Sequence, residues 1–182
     1  MSAVNEEPEY SLLTRFIEKG EADNLFEDLF DQVDWDTSMK ARKTACYGES
    51  YDDSGVNFAV RLMHPLLEPY CSAIQDELGF LPTNCLLNYY QDGKSTMGFH
   101  SDTVSYLEKG TGIAIVSLGS EREITFRNKD DYGRRITVLL PHGSLFYMTQ
   151  LTQEYWTHAI KKSPVDLPRI SLTFRRILAE KK

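Results

Sequence analysis

The sequence predicts an α+β fold, with N-terminal helices packed on one sheet of an antiparallel, two-sheet core of the jelly-roll type. Two helical patterns come first along the chain, and after Gly79 short strand-like segments follow one another, separated by turn residues. Segregated helices and strands are typical of α+β domains. The chain has 182 residues, of which 41% are hydrophobic and 26% charged, and this fits a single globular domain.

The first 39 residues form an acidic segment that predicts a strand and a helix packed on the core. They hold 11 acidic and 2 basic side chains, although the whole chain has a net charge of only −7, so residues 40–182 are slightly basic. Residues 10–17 are strand-like. Residues 18–33 carry apolar side chains at helical spacing: Ala22, Leu25, Phe26, Leu29, Phe30 and Val33. The overall acidity therefore argues only weakly against nucleic-acid binding.

Residues 40–60 are polar and predict a long loop or hairpin, and residues 65–78 predict a second helix with Pro65 in its first turn. The strand candidates come after it: CLLNYY, GIAIVSL, REITFRN, RITVLL, GSLFYM, YWTHAI and RISLTFRR. Three scattered cysteines (Cys46, Cys71 and Cys85) indicate free thiols in a reducing compartment. We recognise no secretion signal and no membrane span in the sequence, so we expect a cytoplasmic location.

Three residues form a candidate metal site. His100 and Asp102 are two positions apart, so on an extended strand both side chains point to the same face. His158 lies in another strand candidate, YWTHAI. Two histidines and one carboxylate on one face of a metal ion make the facial triad of non-heme Fe(II) oxygenases, which leaves positions open for a cosubstrate and O2. Taken alone, the His-x-Asp pair equally fits a turn in which Asp102 accepts backbone hydrogen bonds.

The last strand candidate predicts an anion site. Two arginines and two hydroxyl residues share one face of it: Arg169, Ser171, Thr173 and Arg175. The opposite face is apolar and should pack on the core or on a helix: Ile170, Leu172 and Phe174. Buried arginines need an anionic partner, and a dicarboxylate such as 2-oxoglutarate fits guanidinium groups through paired, charge-assisted hydrogen bonds. The alternative is an exposed basic edge strand, which discourages edge pairing.

A further strand candidate carries Asn88 and Tyr90 on one face. An inward amide and an inward phenol can donate hydrogen bonds to carboxylate oxygens, although each alone is more often a satisfied core group. Only the order of all these elements along the chain makes the ordinary structural interpretations jointly improbable.

Seven pieces of the chain together resemble the AlkB family of Fe(II)/2-oxoglutarate dioxygenases: RKTACYG, NYYQDG, GFHSD, VSLGSERE, LPHGSLFYM, YWTHA and PRISLTFRR. The resemblance covers residues 40–177. It implies a double-stranded β-helix core, iron held by His100, Asp102 and His158, and O2 as the oxidant. It also implies that 2-oxoglutarate is held by a second set of residues, with Arg169 on its distal carboxylate: Asn88, Tyr90, Arg169, Ser171 and Arg175. Residues 40–60 match the family's substrate-covering lid, where Arg42, Tyr47 and Tyr51 would contact a nucleotide.

Two positions depart from the family pattern. Repair members usually carry an acidic residue two positions after the His-x-Asp pair, where it contacts the target base, and here that position is Val104. A valine side chain cannot accept a hydrogen bond from an exocyclic amine. Some members carry asparagine at the position of Ser171, which is a mild change because a hydroxyl can still donate.

The resemblance implies oxidative dealkylation, in DNA or RNA, of a base drawn out of its stack. Two alternatives stay open: an oxygenase of the same fold acting on a small molecule or a protein side chain, and a non-catalytic binding module that kept the barrel. The complete metal and arginine sets argue against the last, since a binding module has no need of buried charges. We expect a monomer with no membrane partner.

Overall fold

The computed structural model describes residues 7–53 and 56–178, and within these ranges the chain forms twelve strands and three helices. The helices are α1 (Lys19–Gln32), α2 (Glu68–Leu78) and α3 (Gln150–Tyr155). The strands are β1 (Tyr10–Leu13), β2 (Lys43–Gly48), β3 (Tyr51–Asp53), β4 (Val56–Phe58), β5 (Asn84–Tyr90), β6 (Met97–His100), β7 (Gly112–Gly119), β8 (Arg122–Asn128), β9 (Arg135–Leu140), β10 (Leu145–Thr149), β11 (Trp156–Ile160) and β12 (Arg169–Arg175). None of the described helices is long and apolar enough to cross a membrane.

Two antiparallel sheets form the core. The larger sheet has the strand order β1-β10-β7-β12-β5-β2, the smaller one has the order β6-β11-β8-β9, and β3 and β4 form a separate hairpin. Each of the seven strand candidates after Gly79 forms a strand, which confirms the predicted α+β fold with a two-sheet antiparallel core. The strand β12 lies between β5 and β7, so it is a central strand and not an exposed edge.

The larger sheet separates two clusters of buried side chains. The helix-side core lies between this sheet and the first two helices, and its members include Leu25, Leu29, Ile74, Leu87, Ile170, Leu172 and Phe174. The inter-sheet core lies between the two sheets, and its members include Leu86, Ile115, Ile124, Phe126, Phe146 and Trp156. Successive side chains of a strand point to opposite faces, so each central strand contributes to both clusters.

The predicted N-terminal helix is confirmed, because its apolar stripe packs on the larger sheet. Ala22, Leu25 and Leu29 are buried on one face of α1. The strand before it is shorter than the expected 10–17, since β1 ends at Leu13. The chain turns there, and the N–H groups of Phe16 and Ile17 both donate to the carbonyl of Gly143.

Two expectations in the polar and helical regions need correction, and two short elements were not predicted. The polar stretch 40–60 is not only a loop or hairpin, because Lys43–Gly48 forms β2 and pairs with β5. The second helix starts at Glu68 rather than at residue 65, and Pro69 instead of Pro65 occupies its first turn. The short strand β6 and helix α3 were not predicted, because segments of four and six residues carry too little periodic pattern. The three cysteines are buried free thiols, as expected.

Candidate metal centre

A cavity between the two sheets brings the predicted metal and anion sites together. Its apolar lining includes Leu86, Ile115, Ile124 and Ile160. Its polar lining consists of Asn88, Tyr90, His100, Asp102, His158, Arg169, Ser171, Thr173 and Arg175. All eight residues that the sequence assigned to iron or to 2-oxoglutarate therefore line one cavity, together with Thr173.

The candidate metal ligands converge on a small volume. His100, Asp102 and His158 each offer a ligand atom, and these atoms lie within 4.8 Å of one another. His158 pairs with His100 across β11 and β6, and the centroids of the two rings are 4.4 Å apart. Asp102 Oδ2 lies 3.4 Å from His158 Nε2. Two imidazoles and one carboxylate at this separation fit the facial triad of a non-heme iron site.

The reason for this convergence differs from the same-strand argument, which is wrong because β6 ends at His100. Asp102 lies beyond the strand, and its backbone N–H donates to the side-chain oxygen of Gln153 at 2.9 Å. Gln153 comes from α3, a helix that no sequence signal predicted. The backbone position of Asp102 is therefore fixed by a contact between residues 51 positions apart.

The protonation states of the triad suit a metal ion. Burial alone raises the pKa of the Asp102 carboxyl, but the charge of Arg175, followed by His158 and His100, outweighs it and holds that pKa well below its usual range. Burial, with His100 next, lowers the pKa of His158 to about 3. Asp102 is thus ionised and His158 neutral at pH 7, the forms that ligate metals. His100 Nδ1 lies 2.9 Å from the carbonyl oxygen of Gly98, so it donates there and leaves Nε2 for a metal.

Arg169 is the residue that best fits a carboxylate ligand. It is 1% exposed, its Nη2 donates to Ser117 Oγ at 3.0 Å, and its guanidinium lies 5.2 Å from the ring centroid of Tyr90. Its Nε and Nη1 atoms have no hydrogen-bond partner among the described residues. Burial lowers the pKa of Arg169 to about 10, so the group stays charged at pH 7. A buried cation with unsatisfied donors fits the carboxylate of 2-oxoglutarate, which would supply the missing acceptors.

Arg175 is placed differently from Arg169. Its guanidinium forms an ion pair with Asp102 and lies over the ring of Tyr51, 4.1 Å from the centroid. In this structure Arg175 therefore compensates the charge of the metal ligand, and its contact with 2-oxoglutarate stays a prediction.

The other residues assigned to the cosubstrate lie on β12 and on its neighbouring strand β5, close to Arg169 in the pairing. Ser171 lies opposite Asn88 on β5 and opposite Ser117 on β7, and Tyr90 lies opposite Arg169. Ser117 was missed by the sequence interpretation, since a single serine in an apolar strand carries no signal of a role.

Four residues were expected to contact the substrate, and the structure separates them. Arg42 donates from Nε to Asn88 Oδ1 at 2.7 Å, and Val104 packs against the inter-sheet core. Tyr51 is buried, and its hydroxyl donates to Asp102 Oδ1 at 3.2 Å.

Tyr47 differs from Tyr51 and Val104, because it packs on the helix side of the larger sheet, and its contact with a nucleotide stays a prediction. It belongs to the helix-side core, with the His64 ring against its edge and Arg61 over its face at 4.6 Å. On β2 its neighbour Cys46 belongs to the inter-sheet core instead, so the alternation of the strand turns Tyr47 away from the site.

A basic and aromatic cluster lies beside the metal centre. Phe99 precedes His100, and Arg127, Arg135 and Lys161 surround its ring at 4.0, 5.9 and 5.7 Å from the centroid. Arg127 also lies 4.5 Å from the ring centroid of Tyr132. Arg127 and Arg135 lie on different strands, and only the pairing of β8 with β9 and β11 brings them to Phe99.

Comparisons with known proteins agree with this geometry. A family model described as "2OG-Fe(II) oxygenase superfamily" matches residues 9–175. The chain is 35% identical to "DNA oxidative demethylase ALKBH2" of Homo sapiens over 90% of this chain and 72% of that protein. It is 30% identical to "Alpha-ketoglutarate-dependent dioxygenase alkB homolog 3" of Homo sapiens over 89% of this chain and 64% of that protein. The solved structure "The structure of OsALKBH1" covers 93% of this chain and 99% of its own with a TM-score of 0.64 and 17% identity, which supports the fold alone.

Proposed function

Because the chain belongs to the 2OG-Fe(II) oxygenase superfamily and is an Fe(II)- and 2-oxoglutarate-dependent dioxygenase, we propose that it dealkylates bases in DNA or RNA. One observation carries the proposal: a single buried cavity holds the His-Asp-His triad beside a charged arginine whose donors lack acceptors. A relative that is a DNA oxidative demethylase by name supports the choice of substrate.

The residues of the cavity have separate tasks in this reaction. When bound, iron, 2-oxoglutarate and O2 supply the oxidation that hydroxylates an N-alkyl group, which leaves the base as an aldehyde while 2-oxoglutarate becomes succinate and CO2. His100, Asp102 and His158 would hold the metal, and Arg169 would hold the distal carboxylate of the cosubstrate. The isoleucines and leucines of the lining exclude water from the reacting groups, which strengthens each electrostatic contact inside.

The cluster around Phe99 supports a nucleic acid as the substrate. Arg127, Arg135 and Lys161 place three positive charges around an aromatic ring next to the metal ligand His100. Phosphate groups bind such charges, and aromatic rings stack on unpaired bases. The net charge of −7 therefore does not oppose this function, because three basic residues lie together beside the metal centre.

A second candidate function has one observation in its favour. Val104 follows the metal ligand Asp102 and packs with apolar side chains, so it offers no acceptor to the exocyclic amine of a base. An oxygenase that acts on a small molecule or a protein side chain would not need that acceptor.

The test is anaerobic loading with Fe(II) and 2-oxoglutarate, followed by O2 and measurement of succinate and aldehyde against methylated single- and double-stranded oligonucleotides. Aldehyde formed in proportion to succinate supports the proposal. Substituting Arg127 and Arg135 with alanine should raise KM for oligonucleotides, whereas Arg176→Ala, at a surface ion pair with Glu108, should not. Succinate formation stimulated only by small molecules or peptides would favour the second candidate. A monomeric state and a cytoplasmic location stay predictions from the sequence.

A further inference from the structure

We propose that Tyr51 is a positioning residue for the metal centre, whose phenol holds one oxygen of Asp102 so that the other oxygen faces the metal. This inference rests on the proposed dioxygenase function, since it concerns the iron ligand. It gives Tyr51 a task different from the nucleotide contact that the sequence suggested.

The carboxylate of Asp102 is divided between two environments. Oδ1 accepts from the Tyr51 hydroxyl at 3.2 Å and from the guanidinium of Arg175. Oδ2 lies 3.4 Å from Nε2 of His158, which is another candidate metal ligand. Because two donors occupy Oδ1, the geometry assigns metal ligation to Oδ2 alone. A carboxylate bound through one oxygen leaves more positions of the metal open than one bound through both.

Tyr51 is itself held in place for this contact. Its side chain is 3% exposed and belongs to the inter-sheet core, and Arg175 lies over its ring at 4.1 Å. Arg175 thus contacts both the phenol ring and the carboxylate, and the three side chains form one closed group. Partners of this kind orient a metal ligand and fix its electron density.

The position of Tyr51 in the chain links the metal ligand to the segment assigned to the substrate. It is the first residue of β3, in the segment 40–60 that the family resemblance assigns to the substrate-covering lid. A residue of this segment therefore holds a metal ligand. A displacement of Tyr51 would alter the hydrogen bond that orients Asp102.

The test is Tyr51→Phe, which removes the hydroxyl and keeps the ring under Arg175. We expect the Kd for Mn(II), measured by electron paramagnetic resonance without cosubstrate or O2, to rise about 10-fold, the lower bound for loss of such a partner. We also expect the visible spectrum of the Co(II)-loaded protein to change. The matched control is Tyr155→Phe, because Tyr155 packs against the same inter-sheet core, whereas the tyrosine hydroxyl that donates to Asp102 is that of Tyr51.

An Mn(II) Kd and a Co(II) spectrum identical to those of the parent would overturn the role of Tyr51. Tyr51→Gln, which restores an N–H donor, should bind Mn(II) more tightly than Tyr51→Leu, and this pair replaces Tyr51→Phe if that variant does not fold. Equal affinities of the two would count against the proposal. Neither readout uses a substrate, so a failure of oligonucleotide dealkylation would not affect the role of Tyr51. Unchanged Mn(II) binding and an unchanged Co(II) spectrum would likewise not affect the proposed dealkylation.

Discussion

The two faces of β12 are equally buried and chemically opposite. Toward the helices it presents Ile170, Leu172 and Phe174, each 0% exposed. Toward the cavity it presents two arginines and two hydroxyl residues, none more than 7% exposed: Arg169, Ser171, Thr173 and Arg175. Burial therefore does not distinguish the two faces, and only the partners of each side chain do.

The apolar face of β12 contributes to stability, and the cavity face contributes to function. Apolar side chains gain free energy from burial itself, at roughly 25 cal/mol per Å². Buried arginines lose hydration, and they are tolerated only where acceptors replace the lost water. Arg175 pairs with an anion, the carboxylate of Asp102, whereas the acceptor of Arg169 is the neutral hydroxyl of Ser117, and its Nε and Nη1 donors lack an acceptor among the described residues. The cavity face is thus complete only with a ligand, whereas the helix face is complete as it stands.

The largest effect should come from removing the charge that organises the cavity face. Asp102→Ala should abolish iron retention and turnover together, because it removes a ligand and leaves Arg175 without its carboxylate. Iron content after anaerobic gel filtration and succinate formation measure this. Asp130→Ala, at an exposed carboxylate, is the control. A variant that binds Fe(II) as tightly as the parent and still consumes 2-oxoglutarate would show that the triad is wrongly assigned.

Removing apolar volume from the helix face should affect stability alone. Leu172→Ala should lower the free energy of unfolding by about 2–5 kcal/mol, because it leaves a cavity in a closed core. Urea unfolding measures the loss, and Leu139→Ala, at a position 48% exposed, should change stability much less. The folded Leu172→Ala protein should keep the Mn(II) affinity of the parent, and a large change in that affinity would contradict the separation of the faces.

Removing charge from the cavity face should affect cosubstrate binding. Arg169→Ala should weaken 2-oxoglutarate binding by about 2–5 kcal/mol, the range for truncating one partner of a buried charged pair. Calorimetric titration of the Mn(II)-loaded protein measures it, with Arg176→Ala as the control at the neighbouring surface. An unchanged dissociation constant would remove Arg169 from the cosubstrate site.

A smaller effect is expected at the substrate end of the cavity. With Val104 the parent should act weakly or narrowly on methylated adenine and cytosine, because an unsatisfied amine costs about 1–3 kcal/mol. Val104→Asp should improve dealkylation of a methylated single-stranded oligonucleotide. Robust turnover by the parent that is lost in Val104→Asp would mean that the pocket reads bases without a carboxylate.

The smallest effect concerns a thiol behind the helix face. Burial, and then the charge of Glu68, raises the pKa of Cys71 to about 11. A raised pKa keeps the thiol neutral, so the native protein should resist alkylation at pH 8 and react faster only as the pH approaches that value. Mass spectrometry of the alkylated peptide measures the rate, with urea-unfolded protein as the fast reference. Rapid native alkylation of Cys71 at pH 8 would show that this face is not closed.

Local patterns in the sequence predicted much of the fold and of the cavity. The period of two in RISLTFR assigned the charged and the apolar side chains to opposite faces of β12, as the structure has them. The helical period predicted α1 to within one residue at each end. Both periods follow from backbone geometry, because residues two apart in a strand and three or four apart in a helix lie on the same face. The pattern can therefore be read from a short stretch of sequence.

Other features depend on contacts between distant residues and have no local signal. Tyr47 and Tyr51 are alike in the sequence, yet the pleat of β2 turns Tyr47 toward the helices while the following hairpin carries Tyr51 to Asp102. Gln153 holds the backbone of Asp102 from a helix of six residues.

The sequence by itself determined which chemical groups the protein possesses and which face of each strand carries them, because alternation along a strand is a local property. Only the tertiary structure decided which of these groups meet. It paired Arg175 with Asp102 and left donors of Arg169 facing the cavity, because strand pairing and sheet packing set the distances between residues far apart in the chain.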